Sequence, residues 1–274
     1  MMRTIAIYIG RENLKADPRV VSLCGDLEKG GCKIYSVESP GDLKEGTDLL
    51  LSVGGDGTFL NASMLVADRQ IPVMGVNLGR MGFLSENRPE DVAPAILSEE
   101  YTVENRSMLS ADVVTGNPAI DDFPFALNEI SIRRSGAAML AVDVCLNGIK
   151  LPTYWSDGII ISTSSGSTAY SLSVGGPIVF PDAKVFVMSP IAPHNLNVRP
   201  LVIPENSEIT MTVQTRDGHF EFSADNRTAD VSEDTSVTVR MAQFSLKRIR
   251  LNNSNFIQAL SDKLYWGEDV RNII

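Results

Sequence analysis

Apolar residues fall into short runs, separated by amphipathic stretches, over the first hundred residues of the chain. The runs are rich in β-branched residues and predict strands at residues 4–9, 32–37, 48–53 and 71–76. Helices are predicted between them, starting at Asp17 and at Pro89 and covering residues 59–67, because Asp suits a helix cap and Pro the first helical turn. This alternation predicts an α/β domain with a parallel sheet and helices on its faces.

The pattern changes to closely spaced short strands after residue 107. Ile209, Met211 and Val213 alternate with polar residues, which is the period of a half-buried strand. Strands are predicted at residues 107–114, 125–132, 139–146, 158–161, 185–189, 208–213, 219–224, 236–240 and 244–251. Many short strands joined by turns predict a mostly β domain of the sandwich or barrel type.

These two patterns divide the chain near residues 100–106. We expect an α/β domain at 1–103, which carries the glycine-rich loop described below, and a β-rich domain at 104–254. Phe256, Leu260 and Leu264 recur at helical spacing. A C-terminal tail at 255–274, including this helix, is therefore expected to pack back on the first domain.

Composition and charge narrow the function classes. The chain has 274 residues, 43% of them apolar, and a net charge of −10, which argues against nucleic acid or an anionic membrane as the main partner. Its three cysteines form no C-x-x-C pair, so we expect neither a zinc site nor a disulfide framework. A signal peptide and an apolar run of about 18 residues are not found. A cytoplasmic protein is expected.

The sequence LLSVGGDGTFL at residues 50–60 places three glycines, Asp56 and Thr58 at the end of a predicted strand. Asp-Gly is a common turn dipeptide, but glycines between a strand and a helix also let backbone N–H groups approach an anion. The context favours the anion-binding loop, although it matches neither G-x-x-x-x-G-K-[ST] nor G-x-G-x-x-G. Because a carboxylate repels phosphate, we expect Asp56 to handle a hydroxyl or a metal ion instead.

Five sequence blocks together resemble the NAD kinase family, whose members phosphorylate the 2′-hydroxyl of the adenosine ribose of NAD. The blocks are GGDGT at 54–58, GVNLGRMGFL at 75–84, LNE at 127–129, SDGIIISTSSGSTAYSLSVGGPIV at 156–179 and PHNLNVRPLVIP at 193–204. GGDGT is shared with diacylglycerol and sphingosine kinases, whereas the five blocks in this order are highly specific. The resemblance implies a transferase that makes NADP from NAD, with ATP, another NTP or polyphosphate as donor and a divalent metal, Mg²⁺ being expected.

The resemblance also implies roles for individual residues. Asp56 is the expected catalytic residue, accepting the proton of the 2′-hydroxyl or orienting it. The backbone of Gly54, Gly55, Gly57 and Thr58 is expected to hold the donor phosphates. The implied NAD-binding residues are Asp56, Gly57, Phe83, Asn128, Glu129, Asp157, Ser165, Thr168, Ala169, Tyr170, Ser171, Leu172 and Ser173. The metal ligands are unknown, and a homodimer or homotetramer is implied.

Plainer interpretations of the same residues stay open at this point. Asn128-Glu129 alone would be a surface turn, Phe83 a core residue, and Asp157 a turn residue before Gly158. The Ser- and Thr-rich stretch at 162–173 alone would be a flexible polar loop, although apolar segments flank it on both sides.

Four positions depart from the family pattern. Relatives usually have proline at position 164, so Ser164 is expected to loosen the loop backbone. Trp155 stands where many relatives have a basic residue, so an ionic contact to substrate phosphates is absent or supplied elsewhere. Asn226 and Arg227 also differ from relatives, and of this turn we carry over Asp225 alone.

Two other functions compete with an NAD kinase. A lipid kinase shares GGDGT, but the LNE, TAYSLS and NVRPLV blocks argue against it. A non-catalytic NAD sensor on the same fold would have no use for a carboxylate that activates a hydroxyl, so Asp56 and Glu129 argue against a sensor.

Overall fold

The computed structural model describes residues 2–79 and 82–267. Within them the chain forms two compact units, one of residues up to 105 together with residues from 246 onwards, the other of residues 106–245. Residues 80 and 81 of the second sequence block, and residues 268–274 of the expected tail, lie outside the described residues.

A parallel sheet forms the centre of the first unit. Its strands are β1 (Thr4–Ile9), β2 (Lys33–Ser36), β3 (Leu49–Val53) and β4 (Val73–Val76). They pair in parallel in the order β2, β1, β3, β4. All five residues of β3 are buried, as expected for a parallel strand covered on both faces. The carboxyl end of β3 is the point where GGDGT begins.

The described part of the first unit contains four α-helices: α1 (Pro18–Lys29), α2 (Asp56–Val66), α3 (Pro89–Ser98) and α6 (Phe256–Leu264). The Asp17 carboxylate caps α1 by accepting from the Arg19 amide at 2.9 Å, and Pro18 opens the helix, as predicted. Helix α2 begins three residues before the predicted start, because Gly55 serves as its cap in an extended conformation and Asp56 already lies in the first turn.

Antiparallel strands make up the second unit. Six of them, β7 (Glu129–Arg134), β11 (Gly158–Thr163), β12 (Val185–Ile191), β13 (Leu201–Pro204), β15 (His219–Ala224) and β16 (Arg227–Ser232), form a sheet in the order β13, β12, β11, β7, β15, β16. A further set includes β6 (Phe125–Ala126), β8 (Leu140–Leu146), β9 (Ile149–Lys150), β10 (Tyr154–Ser156) and β14 (Ile209–Gln214). Two short helices, α4 (Pro118–Asp121) and α5 (Tyr170–Ser173), complete this unit.

Two long strands pass the points where the chain changes units, β5 (Tyr101–Asp112) and β17 (Val237–Leu251). The strands predicted at 236–240 and 244–251 are one continuous strand of 15 residues, and Arg248 of β17 pairs in parallel with Val73 of β4. Residues 241–243, which neither prediction covered, continue the alternation of the strand, since Met241 and Gln243 are exposed and Ala242 is buried.

The predicted strand at 125–132 is broken at Leu127-Asn128, which separates β6 from β7. There the backbone amides of both residues donate to the side chain of Asp225 rather than to a neighbouring strand. The Ser/Thr-rich stretch is not a flexible loop: it forms a 3₁₀ turn at Ser165–Thr168 followed by α5. The predicted fold class, an α/β part followed by a mostly β part and a final helix, is confirmed.

Each unit has its own apolar core. In the first unit, side chains of β1, β3 and β4 pack with α1 and α3, and Ile249 and Leu251 of β17 join them. In the second, Ile130, Ile159 and Phe222 are fully buried members of a larger cluster. Among the described residues, no helix is long and apolar enough to cross a membrane.

Candidate functional site

The GGDGT segment is a tight turn between β3 and α2. Gly54 has φ +151°, and a Cβ atom on either Gly54 or Gly10 would lie 2.3 Å from Oγ1 of Thr58. The Thr58 side chain therefore occupies the space that a larger residue would need at both glycines. This contact explains why glycine is required at 54 and fixes the turn against the end of β1.

Gly55 and Gly57 lie on the open side of the same turn. Both are exposed, and a Cβ atom on either would meet nothing within 4 Å. The first N–H groups of a helix have no partner within the helix, and the dipole of α2 places partial positive charge here. The turn thus presents backbone donors to solvent in an arrangement that suits an anion.

The Asp56 carboxylate is held by the backbone of residues 83–85. Its Oδ1 accepts from the Leu84 amide at 3.0 Å and the Ser85 amide at 2.8 Å, and its Oδ2 accepts from the Phe83 amide at 2.9 Å. A carboxylate has about four acceptor positions, so Oδ2 retains one for another donor. Asp56 is therefore fixed in orientation and still able to accept one hydrogen bond from a hydroxyl.

Phe83 is half-buried, and its ring lies beside the C-terminal helix. The Phe256 ring is 6.2 Å away between centroids, and the Lys263 ammonium lies 4.7 Å from the Phe83 centroid. Both partners belong to α6, which the sequence placed near the first domain without indicating a contact to this turn.

In the second unit, the Leu127–Glu129 backbone wraps around the buried Asp225 carboxylate. Oδ2 of Asp225 accepts from the Leu127 amide at 2.8 Å, and Oδ1 accepts from the amides of Asn128 at 2.8 Å and Glu129 at 3.2 Å. Asp225 itself has φ +52°. The LNE block is therefore a shaped turn built on one carboxylate, and not the surface turn that its two polar residues suggest in isolation.

Burial changes the ionisation of Glu129. It raises the pKa of the Glu129 carboxyl to about 8, and the nearby charge of Asp225 adds to the rise. Oε2 of Glu129 is buried without a hydrogen-bond partner in the described part of the chain. Burial also raises the pKa of Asp225, which three amide hydrogen bonds oppose. At neutral pH Glu129 is thus largely a neutral carboxyl, able to donate as well as accept a hydrogen bond.

The Ser/Thr-rich segment packs directly on the LNE turn. Thr163 donates to the Leu127 carbonyl at 2.6 Å and accepts from the Gly166 amide at 3.0 Å. A Cβ atom on Gly166 would lie 2.1 Å from the Asn128 carbonyl oxygen. The structure therefore brings the start of this segment together with Asn128.

The predicted ligand residues of this segment differ in exposure. Ser165, Thr168, Ala169, Tyr170 and Leu172 are half-buried, and Ser173 is exposed. Ser171 is fully buried, and its hydroxyl lies 3.2 Å from the Ser189 hydroxyl, so this side chain faces the sheet. A contribution of Ser171 to a ligand site would come from its backbone.

The expectation that Ser164 loosens the backbone is wrong. Its hydroxyl donates to the carbonyl of Val185 at 3.1 Å and also contacts the carbonyl of Ala183. The serine side chain thus ties its segment to the residues that begin β12, a restraint that proline would supply by ring closure instead.

Asp157 is paired with a cation of the same sheet. Its Oδ1 lies 3.0 Å from Nε of Arg134, and the Asp157 side chain is 33% exposed. Trp155 carries no charge and is exposed, but Arg133 lies 5.6 Å from the Tyr170 centroid and pairs with Glu221. Two arginines of β7 thus supply positive charge close to predicted ligand residues.

The departure at Arg227 is explained by the fold. This buried side chain donates to the carbonyl oxygens of Ala119 at 3.1 Å and Phe123 at 2.5 Å and lies 5.3 Å from the Phe123 ring centroid. It fastens the segment that precedes the LNE turn, so it acts on the candidate site through the backbone.

The described residues contain no group of three or more His, Cys, Asp or Glu side chains that could hold a metal ion. The side chains in this part of the chain therefore do not fit a metal cage made by protein alone.

Comparison with protein families and known proteins gives one consistent result. Models of the ATP-NAD kinase N-terminal domain and C-terminal domain match residues 25–100 and 127–251. An NAD kinase of Flavobacterium psychrophilum is 43% identical over 84% of this chain and 80% of its own length. An NAD kinase of Porphyromonas gingivalis is 36% identical over 98% of this chain and its full length.

Solved structures agree with these relatives. An NAD kinase from Archaeoglobus fulgidus, in complex with ATP, superposes with a TM-score of 0.78 at 27% identity and covers 95% of this chain and 98% of its own. A yeast NADH kinase complexed with NADH gives a TM-score of 0.84 at 21% identity, covers all of this chain and 90% of its own, and shares the fold.

Proposed function

The chain belongs to the NAD kinase family and phosphorylates NAD to NADP with ATP; we propose that Asp56 orients the 2′-hydroxyl of NAD that receives the phosphoryl group. The observation that carries this proposal is the fixation of Asp56 by three backbone amides at the start of α2. A carboxylate held in this way has one acceptor position left for a substrate hydroxyl.

The turn that contains Asp56 also supplies the donor side of the reaction. We propose that the backbone of Gly54, Gly55, Gly57 and Thr58 holds the donor phosphates, with the N–H contacts made by the exposed Gly55 and Gly57 at the start of α2. The amides of Gly54 and Thr58 already donate to the carbonyls of Val76 and Gly55, each at 2.9 Å. The hydroxyl oxygen attacks the terminal phosphorus, the bond to the bridging oxygen breaks, and the hydroxyl proton passes to Asp56 or to water. Such a loose transition state requires mainly positioning and neutralisation of charge.

The second unit is proposed to bind NAD. A neutral carboxyl at Glu129 can donate to one ribose oxygen and accept from a ribose hydroxyl, and the amide of Asn128 adds both kinds of partner. Further contacts are proposed for Phe83, for Asp157 and for the residues Ser165, Thr168, Ala169, Tyr170, Ser171, Leu172 and Ser173 of the Ser/Thr-rich segment.

The metal, the donor and the assembly belong to the same proposal. Mg²⁺ is expected to arrive on the donor phosphates, since Mg²⁺ is usually bound by substrate phosphates with few protein ligands. We further propose that polyphosphate or another NTP can replace ATP as the donor. We also propose that the protein is a homodimer or homotetramer, and that it is located in the cytoplasm without nucleic-acid or membrane partners.

Replacement of Asp56 tests the proposal. Asp56→Asn is expected to abolish NADP formation, because an amide cannot accept all three N–H groups and a hydroxyl proton, while NAD affinity stays within about tenfold, or ~1.4 kcal/mol. NADP formed from NAD, ATP and Mg²⁺ is measured together with NAD binding by calorimetry. Asp68→Asn, on an exposed residue beyond α2, is the matched control and should keep wild-type turnover.

The same assay separates the competing functions. NAD binding without product, with ATP, another NTP and polyphosphate each tested, would indicate a sensor. Phosphorylation of diacylglycerol but not of NAD would indicate a lipid kinase. Normal turnover by Asp56→Asn would contradict the role given to this carboxylate.

A further inference from the structure

The amides that bind Asp56 belong to a turn at residues 83–85. Side chains of β17 and α6 bind the backbone of this turn and of Gly82. Arg248 of β17 donates to the Phe83 carbonyl at 3.1 Å. Lys263 of α6 donates to the Gly82 carbonyl, 181 residues away along the sequence. Both cations are buried, with side-chain exposures of 5% for Arg248 and 9% for Lys263. Two buried cations, neither of which belongs to a sequence motif, therefore bind the carbonyl groups of the turn whose amides bind Asp56.

These contacts share peptide groups with the Asp56 carboxylate. The peptide that joins Gly82 to Phe83 accepts from Lys263 with its carbonyl and donates to Asp56 with its N–H. The next peptide accepts from Arg248 with its carbonyl and donates to Asp56 through the Leu84 N–H. A cation on a carbonyl polarises the planar amide, which makes its N–H a stronger donor.

Glu86 holds the two cations in place. Its Oε1 lies 2.7 Å from the Arg248 guanidinium and accepts from the Ser254 hydroxyl at 3.0 Å, and its Oε2 is 3.9 Å from the Lys263 ammonium. Burial lowers the pKa of Lys263, and the charges of Glu86 and Asp56 oppose that effect. The turn is thus enclosed by a buried cluster of two cations and one carboxylate.

The 82–86 segment packs closely against the Asp56 carboxylate. A Cβ atom on Gly82 would lie 1.9 Å from Oδ1 of Asp56. Glu86 ends the five-residue segment whose other end, Gly82, touches the carboxylate. Movement of the Gly82 carbonyl towards or away from Lys263 therefore moves the Phe83 amide relative to Oδ2 of Asp56.

We propose that Lys263 is a positioning residue for phosphoryl transfer, which acts on Asp56 through the Gly82–Phe83 peptide, with Arg248 acting in parallel through the Phe83–Leu84 peptide. The inference rests on the proposed function of Asp56. Lys263 touches neither the reacting hydroxyl nor the donor in this scheme; it determines how firmly the catalytic carboxylate is oriented.

A graded set of substitutions at Lys263 tests this role. Lys263→Arg keeps the charge and should retain kcat within about threefold. Lys263→Gln keeps a neutral donor and should be intermediate, and Lys263→Met should lower kcat between about tenfold and hundredfold, since small misplacements of catalytic groups cost rates of this order. KM for ATP should stay within about twofold, because the proposed phosphate-binding backbone is untouched, whereas KM for NAD also reports the Phe83 ring, which lies 4.7 Å from the Lys263 ammonium.

The control is Lys247→Met. It also replaces a lysine by methionine, at the position directly before Arg248, and should keep wild-type kcat. Thermal unfolding of each variant identifies those that are folded; if Lys263→Met unfolds, the comparison of Lys263→Gln with Lys263→Arg decides. Equal kcat in all folded variants would overturn the inference, as would a loss carried by KM alone. A wild-type chain that makes no NADP would instead contradict the proposed function.

Discussion

Two aspartates in this chain do similar work at the level of single residues. Asp56 and Asp225 each collect three consecutive backbone amides from a turn far away in the sequence. An ionised carboxylate accepts such bonds more strongly than a neutral group does. Both turns carry family motifs, so each carboxylate shapes a segment whose side chains are proposed to meet a substrate.

Asp225→Asn is expected to destabilise the protein by about 3 kcal/mol, because the amide nitrogen of Asn would face N–H groups and leave buried donors unsatisfied. Urea unfolding followed by circular dichroism measures the change. Asp234→Asn, at an exposed position on the next turn, should alter stability by less than about 0.5 kcal/mol. Equal stabilities of the two variants would contradict the role of Asp225.

Glu129 predicts a pH dependence of stability. Its folded pKa of about 8 lies above the ordinary value of 4.5, so the folded state binds more protons in this window and stability falls as pH rises through it. Between pH 6 and pH 8 the loss from this group is about 2 kcal/mol. Glu129→Gln cannot lose a proton and should remove this part of the decline.

The measurement is urea unfolding of wild type and Glu129→Gln at both pH values. The difference between the two proteins should grow in favour of the variant from pH 6 to pH 8. Glu100→Gln, on an exposed carboxylate, should follow the wild-type slope. Parallel curves for Glu129→Gln and wild type would show that Glu129 ionises normally.

The residues of GGDGT are contiguous, so residue types and spacing mark Asp56 as a candidate, whereas Asn128 and Glu129 became candidates only through the resemblance to the family. Residue types and spacing could not show that Asp225 shapes the LNE turn or that Arg227 fastens its approach, since both partners lie about 100 residues away from the atoms they bind. Ser164 shows the same limit: its hydroxyl reaches a carbonyl 21 residues on.

At the level of elements, the strand–turn–helix at the end of β3 was predictable and its details were not. The apolar run identified β3, and Asp17 and Pro18 fixed the start of α1. The start of α2 was predicted three residues late, because glycine has low helix propensity and the tertiary contacts of Asp56 outweigh it. The division of the strand at 125–132 likewise depends on a distant carboxylate.

The turn at 82–85 gives an element-scale prediction. Gly82→Ala is expected to lower kcat by at least tenfold, because the added methyl group would lie 1.9 Å from Oδ1 of Asp56 and displace the carboxylate. Gly79→Ala is the control in the same sequence block, where the nearest atom to the added Cβ would be 3.9 Å away, and it should keep wild-type kcat. Steady-state NADP formation compares the two.

A normal kcat in Gly82→Ala would mean that Asp56 can work in another position. KM values distinguish this from a general disturbance of the turn, since displacement of Asp56 should leave KM for ATP within about twofold.

At the level of the whole molecule, the first unit is built from two stretches that are far apart in the sequence. Residues 246–267 return to the unit that residues 2–105 begin, and they bring Arg248 and Lys263 to the Gly82–Glu86 segment. The change near residue 100 from alternating strands and helices to closely spaced strands showed that two kinds of structure follow one another. The return of β17 was not visible, because its sequence continues the β pattern of the second unit without a break.

The contact between Gly82 and Lys263 also sets when, during synthesis of the chain, the surroundings of Asp56 can be completed. A ribosome adds about 5–20 residues per second, so the 181 residues that separate them take roughly 10–40 seconds to make. During that interval Asp56 and the glycine turn already exist while the ammonium that braces them does not. If Lys263 positions Asp56, the nascent enzyme stays catalytically weak until α6 is synthesised, and a chain terminated before Lys263 never gains full activity.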